Sequence, residues 1–113
     1  MVALVGDLGS GKTTFVQGLA ESVSGLTRII SPTFILMREY PNKFGGNLYH
    51  IDLYRLEGNI ERELANLGIT DFSKDKKNII LVEWAEKAKD YLPKNTRQVK
   101  FEHVDENTRR ILI

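Results

Sequence analysis

A glycine-rich segment close to the first residue constrains this chain more than any other feature. Residues 6–13 read GDLGSGKT, which matches the phosphate-binding-loop (P-loop) pattern G-x-x-x-x-G-K-[S/T]. The apolar run VALV precedes this segment at residues 2–5, and apolar side chains at helical spacing follow it up to Val23. A buried strand, a glycine-rich loop and a helix in this order are the structural context that the pattern requires. The sequence therefore predicts a strand–loop–helix unit.

The chemistry of such a loop is anion binding. Glycines let successive backbone N–H groups point at one polyphosphate, and the following helix adds the positive end of its dipole. Lys12 supplies a point charge to the β- and γ-phosphates, and the Thr13 hydroxyl supplies a ligand for Mg²⁺. We predict a nucleotide site whose binding residues include Asp7, Leu8, Gly9, Ser10, Gly11, Lys12 and Thr13.

Two acidic residues are candidates for the magnesium and catalytic part of this site. P-loop enzymes usually carry a carboxylate at the end of an apolar strand. Glu83 ends the run IILV and has this placement, although an ordinary surface glutamate could stand there too. Strand alternation in LYHIDLY puts His50, Asp52 and Tyr54 on one face. A partly buried carboxylate at Asp52 needs a partner, either Mg²⁺ with its waters or a cation such as Arg55.

Three further side chains have a plain structural interpretation on the residues alone. A lone histidine in a strand, as at His50, is more often a hydrogen-bonded core residue than a functional one. Trp84 follows Glu83 and could stack on a base, but packing in the core is favoured. Thr33 in SPTF could sense a γ-phosphate, whereas Ser31 and Pro32 favour a turn that leads into a strand.

The remaining segments predict an α/β fold. We expect a hairpin of strands 33–40 and 48–54 around the turn PNKFGGN, a helix from Ile60 to Leu67 closed by Gly68, and a strand at 78–84. A short helix should follow to about Leu92, and strands 97–104 and 109–113 should form a closing hairpin. This order predicts a P-loop NTPase-like three-layer sandwich with a mixed parallel and antiparallel sheet.

Composition excludes several classes of function. The chain has 113 residues and no cysteine, so disulfides, thiolate metal sites and cysteine nucleophiles are excluded. A net charge of +1 gives no bulk electrostatic case for direct binding to nucleic acid or membranes. No apolar run approaches the ~20 residues that span a bilayer. We expect one domain over residues 1–113, no membrane contact and a cytoplasmic location.

Four motifs together resemble those of the TsaE family, also written YjeE. They are GDLGSGKTTF (6–15), SPTF (31–34), YHIDLYRL (49–56) and LVEWAEK (81–87). The resemblance implies an ATPase component of bacterial tRNA threonylcarbamoyladenosine biosynthesis, with ATP and Mg²⁺ as cofactors. It implies a TsaB–TsaD-like complex as partner, with tRNA met only indirectly through that complex. In this family, ATP hydrolysis is thought to reset the complex between rounds of modification.

The resemblance also implies roles for particular residues. Lys12, Thr13 and Thr14 would act in the P-loop, and the Thr33 segment would act as a switch. Asp52 and Glu83 would have magnesium or catalytic roles, and Trp84 would lie near the nucleotide. Family members usually carry a helix and the start of the first strand before the P-loop, so we expect a P-loop ATPase domain that lacks this helix. The oligomeric state stays open.

Three other functions compete with this interpretation. A GTPase would commonly carry an N-K-x-D stretch, whereas NKFG at 42–45 puts Gly45 at the position of the aspartate. A small-molecule kinase needs an acceptor pocket and usually an arginine-bearing lid, for which this length leaves little room. A nucleotide-dependent binding module that barely hydrolyses ATP is the hardest of the three to reject.

Overall fold

The computed structural model describes residues 1–6, 11–25, 37–54, 56–88 and 90–113. The elements in chain order are β1 (Val2–Gly6), α1 (Lys12–Ser24), β2 (Met37–Pro41), β3 (Asn47–Asp52), α2 (Ile60–Leu67), α3 (Ile69–Phe72), β4 (Ile79–Glu83), a 3-10 helix (Ala85–Ala88), β5 (Arg97–Asp105) and β6 (Thr108–Leu112). No helix in these ranges is long and apolar enough to cross a membrane.

The strands form one mixed sheet in the order β2-β3-β4-β1-β5-β6. The central strands β3, β4, β1 and β5 run parallel, and the edge strands β2 and β6 pair antiparallel to their neighbours. The predicted mixed sheet and both predicted hairpins are confirmed. Because parallel strands point the same way, the carboxyl ends of β1, β3 and β4 meet at one edge of the sheet.

Helices cover both faces of the sheet, as a three-layer sandwich requires. On one face α1 packs against the strands, and the buried residues there are Leu4, Val16, Ala20, Val23, Leu48, Leu81, Val99 and Phe101. On the other face α2, α3 and the 3-10 helix cover a second cluster, with Leu64, Ile69, Ala85 and Ala88 packed on residues such as Ile51 and Val82. Successive side chains of a strand point to opposite faces of the sheet, so a continuous apolar run along a strand contributes to both clusters.

The predicted helix ends are confirmed at both glycines. Gly25 follows α1 with φ 68°, and its N–H donates to the carbonyl of Glu21. Gly68 follows α2 with φ 79° and donates to the carbonyl of Ala65. At the other end of α2, the Asn59 side chain accepts a hydrogen bond from the backbone N–H of Arg62, so side-chain capping defines the helix start.

Other boundaries differ from the prediction for local reasons. The short helix predicted after β4 is present, but it is a 3-10 helix of four residues, Ala85–Ala88, and does not extend to about Leu92. Lys87 donates its backbone N–H to the Trp84 carbonyl, and Tyr91 donates to Ala88, so the bonds span three residues and favour 3-10 turns. Strand β3 ends at Asp52 and not at residue 54, because the Asp52 carboxylate accepts the Tyr54 N–H in a turn.

Two further differences concern the hairpin strand and a short helix. The prediction placed a strand at 33–40, of which 33–36 lie outside the described residues, and β2 covers Met37–Pro41. Sequence reasoning did not anticipate α3, a four-residue helix that continues directly from Gly68.

Candidate functional site

The candidate site lies where three strands end and α1 begins. Gly6 ends β1, Asp52 ends β3 and Glu83 ends β4. Asp52 is paired in register with Glu83, and Glu83 in turn with Leu4 of β1. Since Leu4 belongs to the cluster beneath α1, residues in register with it face the same layer. The two carboxylates therefore stand side by side on the α1 face of this edge.

Lys12 brings a buried cation to the same place. It is the first residue of α1 and only 5% exposed. Its ammonium donates to the Gly6 carbonyl at 2.5 Å and lies 4.1 Å from the centroid of the Trp84 ring. A carbonyl oxygen and an aromatic face both stabilise a cation. These two contacts hold the charge of Lys12 at the end of β1.

The start of α1 suits an anion. Gly11 has φ 104°, a left-handed conformation that L side chains rarely adopt, and its carbonyl accepts the Phe15 N–H as the helix begins. The first turn contains no acidic residue, and no side chain of the described segments caps it. Thr13 and Thr14 are exposed in this turn. The start of α1 thus combines hydrogen-bond donors with positive charge. These come from the first N–H groups of the helix, the threonine hydroxyls and the Lys12 ammonium.

Backbone hydrogen bonds and a turn fix the ends of β3 and β4. Asp52 Oδ1 accepts the Tyr54 N–H at 2.9 Å, and Asp52 makes a further interaction beyond this one. The Leu53 N–H donates to the Glu83 carbonyl at 3.1 Å, so the two chains stay linked past the last register pair. Glu83 is 7% exposed, which places its carboxylate in a largely water-free position.

His50 confirms its plain interpretation as a hydrogen-bonded core residue and also contacts the site. Its ring is 1% exposed, and Nε2 lies 2.5 Å from Glu83 Oε2. The side chain is buried and hydrogen-bonded, as the sequence favoured, but the partner is the candidate catalytic carboxylate. The spacing shows only that His50 and Asp52 share a face of β3. The pairing of β3 with β4, which brings His50 to Glu83, comes from the fold.

Trp84 combines core packing with a contact to the site. Its ring packs against the apolar cluster under α2 and also lies over the Lys12 ammonium. Its φ of 57° is unusual for a bulky residue and turns the chain sharply after Glu83. Tyr54, which sequence reasoning did not single out, lies 4.9 Å from the Trp84 ring centroid, and Lys87 donates to the Tyr54 carbonyl.

Several predicted residues lie outside the part of the chain that the structure describes. These are Asp7, Leu8, Gly9, Ser10 and Thr33, together with Arg55, the suggested cation partner of Asp52. Their roles stay predictions. Of the other predicted residues, Gly11, Lys12, Thr13, Thr14, Asp52, Glu83 and Trp84 all lie at or beside the carboxyl edge of β1, β3 and β4.

The donor set fits a magnesium ion that is shared with phosphates. Thr13, Asp52 and Glu83 supply hydroxyl and carboxylate oxygens, the hard ligands that Mg²⁺ prefers. Within the described segments, no group of three or more histidine and acidic side chains could hold a metal ion by itself. Mg²⁺ commonly uses one or two carboxylates, waters and substrate phosphates, and this site matches that pattern.

Comparison with known proteins identifies the family. The family model for "Threonylcarbamoyl adenosine biosynthesis protein TsaE" matches residues 1–111. The chain belongs to the TsaE family. The resemblance noted in the four motifs is confirmed.

Curated relatives and a solved structure support the same assignment. The tRNA threonylcarbamoyladenosine biosynthesis protein TsaE of Bacillus subtilis is 39% identical over 112 residues, which cover 98% of this chain and 66% of that protein. The Haemophilus influenzae protein of the same name is 40% identical over 106 residues, which cover 94% of this chain and 65% of that protein. A crystal structure of Bacillus subtilis YdiB superposes with a TM-score of 0.72 at 32% identity and covers 97% of this chain and 64% of that one.

The chain thus spans about two thirds of the length of the relatives it matches. The likeness in fold, together with the mixed six-stranded sheet, supports the predicted α/β class directly.

Proposed function

We propose that this chain binds and hydrolyses MgATP to support a TsaB–TsaD-like complex in tRNA threonylcarbamoyladenosine biosynthesis. One observation carries the proposal: the buried ammonium of Lys12 and the carboxylates of Asp52 and Glu83 are held at one edge of the sheet, beside the start of α1. Membership of the TsaE family supplies the biological context.

Lys12 and the start of α1 bind the polyphosphate. The ammonium gives up its contact with the Gly6 carbonyl or shares it, and pairs with the β- and γ-phosphate oxygens. The backbone N–H groups at Gly11 and after it donate to the same oxygens, as at other helix N-termini that bind phosphate. Trp84 keeps the Lys12 side chain at the edge of the sheet, because its ring lies against the ammonium.

Asp52, Glu83 and Thr13 would hold a magnesium ion and the attacking water. When bound, Mg²⁺ neutralises charge on the phosphate oxygens and orients them. Glu83 is buried and fixed by His50, so it can orient a water molecule and accept a proton from it. Asp52 lies beside it on β3 and adds a second carboxylate at the same edge of the sheet.

We further propose that turnover is slow in the isolated chain and rises with its partners. Thr13 and Thr14 are exposed at the helix start, so a docked protein can reach this edge of the sheet. A docked partner would exclude water and add charge stabilisation in the transition state, which is the usual source of large rate gains in phosphoryl transfer.

Calorimetric titration tests the binding half of the proposal. The chain is titrated with MgADP, MgATP and MgGTP, and the Lys12→Ala variant serves as control. We expect saturable binding of the adenine nucleotides that the variant loses. Normal MgATP binding by Lys12→Ala would contradict the P-loop assignment, and a preference for MgGTP would favour the GTPase alternative. Tight binding without phosphate release under any condition would favour a nucleotide-dependent binding module.

A further inference from the structure

We propose that His50 is a positioning residue that fixes the orientation of the Glu83 carboxylate. The inference rests on the proposed function of Glu83 and adds to it a residue whose plain interpretation is core packing. It stands on three observations: the contact between His50 and Glu83, the burial of both side chains, and the apolar surroundings of the imidazole.

The parallel register places the two side chains together. His50 pairs with Leu81, and Asp52 pairs with Glu83, two residues further along both strands. The imidazole therefore reaches diagonally across β3 and β4 to the Glu83 carboxylate, with Nε2 at 2.5 Å from Oε2. Both groups lie on the α1 face of the sheet, just inside the edge where the strands end.

The surroundings of His50 on this face are apolar. Leu48 precedes His50 on the same face, and Leu81 is its register partner; both are fully buried leucines. Burying a polar ring among them is costly unless hydrogen bonds compensate for the lost hydration. Glu83 Oε2 provides the compensating contact, so the polar ring and the carboxylate depend on each other.

The bond also assigns the proton on the imidazole. Nδ1 is buried and has no hydrogen-bond partner within the described ranges, whereas Nε2 faces a carboxylate oxygen. A proton on Nε2 satisfies this geometry, because a carboxylate only accepts. Nε2–H then donates to Oε2 and occupies it. Glu83 Oε1 is left as the oxygen that serves the magnesium ion or the attacking water.

Losing this donor should misorient the carboxylate without removing it. Outer partners that orient a ligand side chain are typically worth about 10- to 100-fold in metal affinity or activity. Binding of the nucleotide phosphates through Lys12 does not involve His50, so nucleotide affinity in the absence of Mg²⁺ should stay unchanged. A split between turnover and binding is therefore the expected signature.

Two amide variants separate positioning from packing. In His50→Gln the side-chain amide nitrogen can reach the place of Nε2, whereas in His50→Asn it reaches only the place of Nδ1. Both variants bury a polar amide, but the Asn side chain is one methylene shorter and leaves a larger gap at this buried site. The comparison therefore rests on the Mg²⁺ dependence at equal ADP affinity, which a packing defect alone would not change. The matched control is His103→Gln, a change at the other histidine of the chain, which is exposed on β5.

We expect kcat for MgATP hydrolysis to stay within about threefold of the wild type in His50→Gln and to fall about 10- to 100-fold in His50→Asn. The second readout is the fluorescence of Trp84, the single tryptophan, during Mg²⁺ titration of the ADP complex. His50→Asn should need about 10-fold more Mg²⁺ than His50→Gln, with equal affinity for ADP in the presence of a chelator.

Equal kcat and equal Mg²⁺ dependence in the two amide variants would overturn the positioning role. If both variants lose the same fraction of kcat, His50 serves packing alone, and the positioning role is overturned as well. Failure of the proposed function is a separate result: a wild-type chain that releases no phosphate refutes the ATPase, and the Mg²⁺ titration still decides whether His50 orients Glu83.

Discussion

Replacing Gly46 by alanine should destabilise the fold through a steric clash at the β2–β3 hairpin. A Cβ at this position would lie 2.5 Å from the carbonyl oxygen of Lys77 and 2.6 Å from its carbon. These are backbone atoms, so no side-chain rotation relieves the contact. The hairpin would have to move by about 0.9 Å to reach the 3.4 Å at which ordinary contact begins.

The hydrogen bonds around Gly46 set the magnitude. The Asn42 amide donates to the Lys77 carbonyl at 2.8 Å, and the Asn47 N–H donates to Asn78 Oδ1 at 2.9 Å. Moving the hairpin away from Lys77 and Asn78 stretches both bonds, each worth about 1 kcal/mol. With the residual overlap, we expect Gly46→Ala to lower the free energy of unfolding by about 2–3 kcal/mol.

Urea unfolding followed by far-ultraviolet circular dichroism measures this loss, and Gly18→Ala provides a matched control. Gly18 lies in α1, is exposed, and has no atom within 4 Å of an added Cβ. Alanine there should raise the free energy of unfolding by about 0.5–1 kcal/mol, because it favours the helix. The same substitution at the two sites thus has opposite signs. Equal stability of the two variants would refute the proposed packing of the hairpin on Lys77.

The remaining predictions concern the site. Lys12→Ala should weaken MgATP affinity roughly thousandfold, because loss of one charge near phosphate is worth about 4 kcal/mol at short range. Calorimetry measures this affinity, and a loss below tenfold would contradict the phosphate-binding role of Lys12. Glu83→Gln and Asp52→Asn should each lower kcat at least about 100-fold while nucleotide affinity stays within about threefold. If kcat and nucleotide affinity fall together, the carboxylate serves nucleotide binding instead. Trp84 emission should change when MgADP binds, because the ammonium 4.1 Å from its ring moves toward the phosphates; the same change in Lys12→Ala would argue against this cause.

The sequence predicted those parts of the fold that local patterns determine. The strand before the P-loop motif, helix α1 with its stop at Gly25, helix α2 with its stop at Gly68 and both hairpins follow from apolar periodicity and glycine placement. Such patterns did not predict the structure of the segment after Glu83. Trp84 takes a left-handed conformation that no propensity favours, and three-residue hydrogen bonds then produce a 3-10 helix where a longer helix was expected.

The sequence indicated candidate residues of the site but not the contacts between them. Placing Lys12, Asp52 and Glu83 together requires only a motif and strand ends. The link from His50 to Glu83 depends on the register of β3 and β4, which pairs residues far apart in the chain. The contact of Trp84 with Lys12 depends on the turn after β4. Such contacts are fixed by tertiary packing, so one sequence does not reveal them.

Steady-state phosphate release from MgATP at fixed salt tests the central claim most directly. The chain and its Lys12→Ala variant are each measured alone and with a TsaB–TsaD pair. The account predicts slow release that depends on Lys12 and rises when the pair is added. Release that persists in Lys12→Ala, or a wild-type rate that the pair leaves unchanged, would contradict it.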